Sequence, residues 1–379
     1  MERFYEVNFE FVLLLFAFTL GCQSSQKIPE DKFIWLEEIE GEKQLTWVKD
    51  KNKQTMQFVE SDKRFEEVKQ DLIDIYTADD RIPMPSYDGQ YVSNFWRDKK
   101  NVRGLWRRTT RSSYRKRQPK WETVLDIDKL SKDENENWVY KGRTCLPPKF
   151  ELCLLRLSRG GTDASVIREF NTKTKKFVKD GFQLKQAKSN YSWYDENHLL
   201  VGTDFGEGTL TESGYPYIMK LWKRGTPLSE AKQLYQGEKK DVIVSSRVYH
   251  FPEGHFSMIS NYKSFMLSKK FRVNSDLSLQ EIPIPEDSEI DTVFEDRLIV
   301  KLRSSWNEFG TGAIVSVELS ETENGQLKAK PQLLFQPKEG STVNYVSRSQ
   351  KGVFVNLSEN VMGKVLFAKP TDLGWEMKT

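Results

Sequence analysis

The chain has 379 residues, of which 30% are charged and 37% are hydrophobic, and its formal net charge is only +3. This composition is typical of a globular protein with a sizeable core, and the small net charge gives no overall argument for binding nucleic acid. Aromatic residues reach 12%, which favours strands over helices.

The first 22 residues carry a membrane-related signal. An apolar run from Phe11 to Gly21 is too short to span a bilayer comfortably, and it ends at Cys22. This arrangement resembles a bacterial lipoprotein signal, in which the cysteine is lipidated and becomes the new N-terminus. We therefore expect an exported protein of the bacterial periplasm or envelope, with Cys22 as its lipidation site and this anchor as its only membrane contact. The alternative is that the apolar run forms a buried strand.

A linker and a helical segment follow. Residues 23–32 are predicted to be the linker, and residues 33–78 an N-terminal helical segment. Apolar side chains recur at helical spacing within Leu45–Val59 and again within Phe65–Tyr76. Ser61 is predicted to cap the start of the second helix. Because both helices are amphipathic, we expect them to lie against another surface.

From residue 79 to residue 379 the chain shows repeated strands, and no helix is predicted beyond Ile82. The segment Cys153–Val178 illustrates the unit: a strand, a turn with two adjacent glycines, a second strand, a polar turn and a third strand. Corresponding strands recur about every 45 to 60 residues, the period of four-stranded antiparallel blades. The predicted fold class is all-β, a β-propeller with about six blades. The units begin near Tyr91, Trp138, His198, Val242, Ile290 and Val343.

Two cysteines lie in the predicted second blade. Cys145 and Cys153 flank a Leu-Pro-Pro turn that could bring them together. In an oxidising envelope they could form a disulfide, and otherwise they would be two small buried apolar side chains.

Several segments resemble the prolyl oligopeptidase family of serine peptidases. The resemblance begins with Trp-Leu-Glu-Glu at Trp35–Glu38 and continues in order through most of the chain after about Glu30. Its further segments are Trp47–Lys49, Phe95–Asn101, Gly104–Thr110, Pro119–Asp126 and Leu157–Asp163.

The resemblance implies a helical segment, a seven-bladed propeller and a C-terminal α/β-hydrolase domain with a Ser-Asp-His triad in such proteins. The propeller of that family acts as a lid and size filter for peptides. This sequence shows six units of the expected seven and no Gly-x-Ser-x-Gly motif. We therefore assign no catalytic residue and no cofactor, and expect an incomplete propeller without its hydrolase domain, inactive alone. Its expected partner is a peptide substrate, which is bound through that hydrolase domain or through a separately encoded second half.

Other candidate motifs are weaker. The histidines His198, His250 and His255 lack the spacing of metal ligands, so we expect them to be structural and predict no metal site. Asp204-Phe205-Gly206 has none of the companion motifs of a kinase. The basic run from Arg103 to Lys120 is interpreted as a solvated outer strand and turn rather than a nucleic-acid surface. Loop carboxylates are not assigned to a site; they are Asp79, Asp80, Asp163 and Glu207.

Two other functions stay open. A stand-alone, envelope-anchored propeller could bind a protein or peptide partner. A glycan-active propeller with carboxylates at its rim is the third hypothesis, and the family resemblance favours it least.

Overall fold

A computed structural model describes residues 31–38 and 41–378. The chain divides into two compact units between Tyr76 and Thr77. The N-terminal lipidation prediction at Cys22 lies outside the described residues. Within the described residues, none of the helices is long and apolar enough to cross a lipid bilayer.

The first unit is helical. A 3₁₀ turn at Ile34–Glu37 precedes helix α1 (Glu42–Glu60) and helix α2 (Phe65–Thr77). The predicted cap at Ser61 is wrong, because Ser61 follows the end of α1 and its Oγ donates to the carbonyl of Phe58 at 2.7 Å. Asp62 instead shapes the turn before α2, since its carboxylate accepts the backbone N–H of Arg64 at 2.9 Å.

The second unit contains six antiparallel sheets, which confirms the predicted β-propeller. The first sheet consists of β1 (Ser86–Asp88), β2 (Tyr91–Trp96), β3 (Leu105–Thr110) and β4 (Glu122–Asp126). The second consists of β5 (Trp138–Cys145), β6 (Leu152–Arg159), β7 (Ser165–Asn171), β8 (Lys176–Phe177) and β9 (Gln183–Ala187). The third consists of β10 (Asn190–Asp195), β11 (His198–Gly202), β12 (Ile218–Lys223) and β13 (Lys232–Gln236).

The remaining three sheets follow the same plan, with strands paired in the order of the chain. The fourth consists of β14 (Ile243–Phe251), β15 (Gly254–Tyr262), β16 (Ser268–Val273) and β17 (Leu279–Glu281). The fifth consists of β18 (Glu289–Phe294), β19 (Arg297–Lys301), β20 (Ile314–Glu321) and β21 (Leu327–Phe335). The sixth consists of β22 (Ser341–Arg348), β23 (Val353–Glu359), β24 (Met362–Thr371) and β25 (Gly374–Lys378).

Each pair of consecutive sheets shares an apolar core. In β6, Cys153 and Leu155 pack toward the first sheet, whereas Leu154 packs toward the third, and all three side chains are fully buried. Successive strand residues point to opposite faces, so a run of buried neighbours requires a sheet covered on both sides. This explains why strands such as β6 and β11 have continuous apolar runs rather than clean alternation.

Helices also occur within the propeller, so the prediction of no helix beyond Ile82 is wrong. Helix α3 (Arg111–Tyr114) follows β3, and helix α4 (Ile127–Glu134) follows β4. Asp126 ends β4 and also caps α4, because its side chain accepts the backbone N–H of Lys129 at 2.9 Å. Ile127 and Leu130 of α4 are buried against Trp138 and Leu157 of the second sheet.

The sixth sheet has one covered face and one exposed face. Val353, Val355 and Leu357 pack into the core shared with the fifth sheet. The alternate positions Tyr345, Phe354 and Val365 are exposed. Phe354 and Phe367 contact each other on this face, with ring centroids 5.0 Å apart.

Candidate functional site

A cavity of about 410 Å³ is the principal candidate site. Its wall comes from β5, β10, β14, β18 and β22, the first strands of the second to sixth sheets, and from the turn after β5. First strands of neighbouring sheets are also the strands that contact each other between sheets, as β10 and β14 do and β18 and β22 do. The cavity therefore lies where the sheets converge, and we call it the channel cavity.

Hydrogen bonds join these first strands across sheet boundaries. The indole of Trp193 donates to the carbonyl of Thr144 at 3.0 Å, which links the third sheet to the second. Ser192 Oγ donates to the carbonyl of Ser246 at 3.0 Å, which links the third sheet to the fourth. Arg348 of β22 donates to the carbonyl of His250 at 2.8 Å across the cavity. These hydrogen bonds hold the first strands of different sheets together, in addition to the apolar cores behind them.

The three histidines have structural partners. His250 lies 3.0 Å from the carbonyl of Trp193 through Nε2, which must carry the proton to donate, and burial lowers the pKa of His250. His255 is its cross-strand partner and packs edge-on against Tyr194, and burial also lowers the pKa of His255. His198 Nδ1 lies 3.0 Å from the carboxylate of Asp195. Only His250 lines the channel cavity.

The two propeller cysteines are register partners on β5 and β6, and their sulfur atoms are joined at 1.97 Å. Cys145 lines the channel cavity, whereas Cys153 is fully buried. The intervening turn, which contains a cis peptide bond between Pro147 and Pro148, is thereby held at the cavity wall.

The basic run does not form the predicted outer strand. Its strand, β3, is the third of four, and α3 follows it. Arg107 stacks on Trp96 and Trp121 with its guanidinium 4.1 and 4.6 Å from the ring centroids, and burial lowers its pKa to about 10. Arg108 forms an ion pair with Glu122 at 2.9 Å. The arginines at the centre of this run are therefore engaged in contacts within the chain.

The other candidate residues from the sequence do not come together in one site. Asp204 accepts the backbone N–H of Gly206 at 2.9 Å, and Phe205 packs beside the cores of the third sheet. The loop carboxylates are exposed and lie on different segments; they are Asp79, Asp80, Asp163 and Glu207. Across residues 31–38 and 41–378, no group of three or more histidine, cysteine, aspartate or glutamate residues is placed to hold a metal ion.

Sequence reasoning missed three buried charged side chains of the described residues, which are Glu169, Asp241 and Lys270. Glu169 of β7 is buried and accepts two hydrogen bonds from Arg224 of the third sheet, at 2.8 and 2.9 Å. Lys270 of β16 is also buried. Lys269 and Lys270 are adjacent on one strand and must point to opposite faces, so the sequence did contain a signal that one of them enters the propeller.

Comparison with known proteins gives a consistent result. Residues 24–275 match the family model described as prolyl oligopeptidase, N-terminal beta-propeller domain. The chain is 36% identical over 353 residues to the uncharacterized peptidase y4nA of Sinorhizobium fredii, covering 90% of this chain and 48% of that protein. It is 28% identical over 385 aligned positions to the uncharacterized peptidase RP174 of Rickettsia prowazekii, covering 94% and 52%. The chain thus spans about half the length of these relatives.

Solved structures show the same likeness. A post-proline cleaving enzyme from Rickettsia typhi superimposes with a TM-score of 0.81 at 28% identity, over 90% of this chain and 52% of that one. Oligopeptidase B from Leishmania major superimposes with a TM-score of 0.64 at 12% identity, over 91% and 48%, and so shares the fold.

Proposed function

Because the chain belongs to the prolyl oligopeptidase family and is the propeller portion of such a peptidase, we propose that it admits short peptides to a hydrolase half that cleaves them after proline. The hydrolase half lies on the same polypeptide or on a second one. The channel cavity carries this proposal, because strands from five sheets form its wall and hydrogen bonds between sheets hold that wall in place.

The dimensions and rigidity of the wall are suited to selection by size. A cavity of about 410 Å³ accommodates a few extended residues but not a folded domain. To enter the cavity, a folded protein would have to separate sheets that share apolar cores. The free energy needed to expose those cores is far larger than the free energy needed to extend a short peptide.

The helical unit supports a second contact with the hydrolase half. Helices α1 and α2 bury no apolar side chain, and their apolar residues are exposed; they include Leu45, Val48, Met56, Val68 and Leu72. Exposed apolar side chains at helical spacing, such as Leu45 and Val48 or Val68 and Leu72, indicate a protein interface. The proposed occupant is the hydrolase half.

A chimaera tests the proposed function. The full chain is fused to the part of the Sinorhizobium fredii relative that it does not cover, and hydrolysis of a chromogenic proline peptide is measured. We expect cleavage of the short peptide and no cleavage of a folded protein that contains the same sequence in a surface loop. The unfused chain and the unfused hydrolase half are the controls. Equal cleavage of both substrates by the chimaera would contradict the size filter.

We also propose that the protein is exported and anchored in the bacterial envelope through a lipid on Cys22. The apolar run Phe11–Gly21 directly before this cysteine supports the proposal. Palmitate labelling of the chain in a bacterial host tests it, with Cys22→Ala as the control. Equal labelling of the two chains, or labelling of neither, would refute the anchor.

A further inference from the structure

A second cavity, of about 340 Å³, lies between the fourth and fifth sheets. Its lining comes from Asn190 of β10, from β14, β15, β16 and the turn between β15 and β16, from the segment 287–291 and from Arg303. It adjoins the channel cavity and shares Ser246, Arg247 and Tyr249 with it. We call it the side cavity, and nothing in the proposed size filter uses it.

Lys270 is the unusual feature of the side cavity. The residue is 4% exposed, and its Nζ donates to the carbonyls of Ser268 at 3.0 Å and Glu286 at 3.2 Å. Within the described part of the chain, its Nζ has no carboxylate oxygen within 4.0 Å. An ammonium group has three donors, so one proton remains available to a group inside the cavity.

The three carboxylates in the lining of the side cavity already have partners. Glu289 pairs with Lys301 at 2.8 Å and with Arg303. Asp287 accepts the hydroxyl of Ser304, and Asp291 accepts the backbone N–H of Val346 at 2.8 Å. Glu286, Asp287 and Glu289 attract Lys270 from beyond ion-pair distance, so its Nζ can still donate directly to an anion placed in the cavity.

The lining of the side cavity also includes two exposed apolar side chains. Phe265 and Met266, in the turn between β15 and β16, are 86% and 58% exposed and belong to the lining. The turn is held by Ser264, whose Oγ accepts the backbone N–H groups of Met266 at 3.3 Å and Leu267 at 3.1 Å. A ligand that fits this arrangement has an anionic end and an apolar group next to it.

We propose that the side cavity binds the C-terminal carboxylate of a short peptide, with Lys270 as the anion-binding residue and Phe265 and Met266 contacting the last apolar side chains. The inference rests on the proposed function in one respect, namely that the channel cavity admits peptides. The two cavities share Ser246, Arg247 and Tyr249, so a peptide held by its C-terminus in the side cavity would lie next to the wall of the channel cavity.

Calorimetry on the full chain tests this with two peptides of five residues that end in leucine and differ only at the C-terminus, one a free acid and one an amide. We expect the acid to bind at least tenfold more tightly. Lys270→Met should remove that preference, because methionine keeps the length of the side chain without its charge. Lys269→Met is the matched control, since Lys269 lies next on the same strand and pairs with Glu281 at 3.4 Å outside the cavity.

The pH dependence gives an independent readout. Burial lowers the pKa of Lys270 to about 8, so the preference for the free acid should shrink between pH 7 and pH 9.5 in the wild type. In Lys270→Met it should be absent at both pH values. The other charged or titratable groups that face the cavity are Arg247, Tyr249, Tyr262, Glu286, Asp287, Glu289, Asp291 and Arg303.

Three results would overturn the inference: equal affinity for acid and amide, an unchanged preference in Lys270→Met, or binding of inorganic phosphate as tight as that of the peptide. The last would show a general anion site. If the chimaera cleaves peptides but the acid and amide bind equally, only this inference fails. If the chimaera is also inactive, the proposed function fails with it.

Discussion

Burying an ammonium group without a carboxylate makes Lys270 costly for the fold. Its pKa is lowered to about 8 from 10.5, which corresponds to about 3 kcal/mol of unfavourable free energy at neutral pH. Because the unfolded chain binds more protons between these two values, stability should rise with pH across that window. The penalty is full below pH 8 and disappears above about 10.5.

Lys270→Met is therefore expected to raise the free energy of unfolding at pH 7 by about 1–3 kcal/mol, the lower limit allowing for two lost hydrogen bonds. The gain should fall below about 1 kcal/mol at pH 10. Urea unfolding at both pH values measures it, and Lys269→Met should change stability by less than about 0.5 kcal/mol. A lower free energy of unfolding for Lys270→Met than for the wild type at pH 7 would contradict the assignment of Lys270 as a destabilising buried cation.

At Arg224, by contrast, replacing the charged side chain is expected to lower the free energy of unfolding. Removing this guanidinium leaves Glu169 buried without its ion pair, although Glu169 still accepts the backbone N–H of Phe182 at 2.7 Å. Arg224→Met should cost about 3 kcal/mol in thermal or urea unfolding. Arg159 offers a control, because its ion pair with Glu136 at 2.8 Å is more exposed and Arg159→Met should lower stability far less than Arg224→Met. Similar losses in both variants would show that burial does not decide the strength of these pairs.

At the scale of single elements, the disulfide controls one turn of the channel cavity wall. The bond closes a loop between residues separated by eight positions, and loop-closure entropy for that size gives about 2.5 kcal/mol. The Cys145→Ala, Cys153→Ala double variant should lose that much stability in urea unfolding. Both proteins should carry Cys22→Ser to prevent exchange with a third thiol. An unchanged unfolding midpoint would indicate that packing alone holds the turn.

Most elements could be predicted from local sequence, and the failures have identifiable causes. The period of strands and glycine turns predicted six sheets, because every sheet is built from consecutive strands. Helix α4 was missed because Asp126 serves both as the end of β4 and as the helix cap, so that no linker separates them. Ser61 has the right chemistry for a cap, but the turn at Asp62 delays the next helix to Phe65.

The candidate sites were less predictable than the elements. The channel cavity depends on hydrogen bonds between strands about 50 positions apart, such as that from Trp193 to Thr144, and no local pattern encodes them. Lys270 could be recognised as one of two adjacent strand lysines, but which of them is buried depends on the register of β15 and β16. The side cavity could not be anticipated from the sequence, since it requires both the fourth and the fifth sheets.

At the scale of the whole molecule, the exposed face of the sixth sheet should affect behaviour in solution. Tyr345, Phe354 and Val365 form an apolar surface there, which favours association with a second copy. The Tyr345→Lys, Val365→Lys double variant should lower self-association in sedimentation velocity and leave the melting temperature nearly unchanged. Val355→Lys, on the covered face of the same sheet, should unfold the protein. If the double variant self-associates like the wild type, this face is not the contact.

The construction of every sheet from consecutive strands has a mechanical consequence. Within residues 31–38 and 41–378, the strands of each of the six sheets come from one continuous segment of the chain. Under applied force, each sheet can therefore unfold as a separate unit. Each release would lengthen the chain by roughly 130 to 170 Å, the extended length of about 40 to 50 residues. Release of the first sheet alone would leave every strand of the channel cavity wall in place, because that wall comes from the second to sixth sheets.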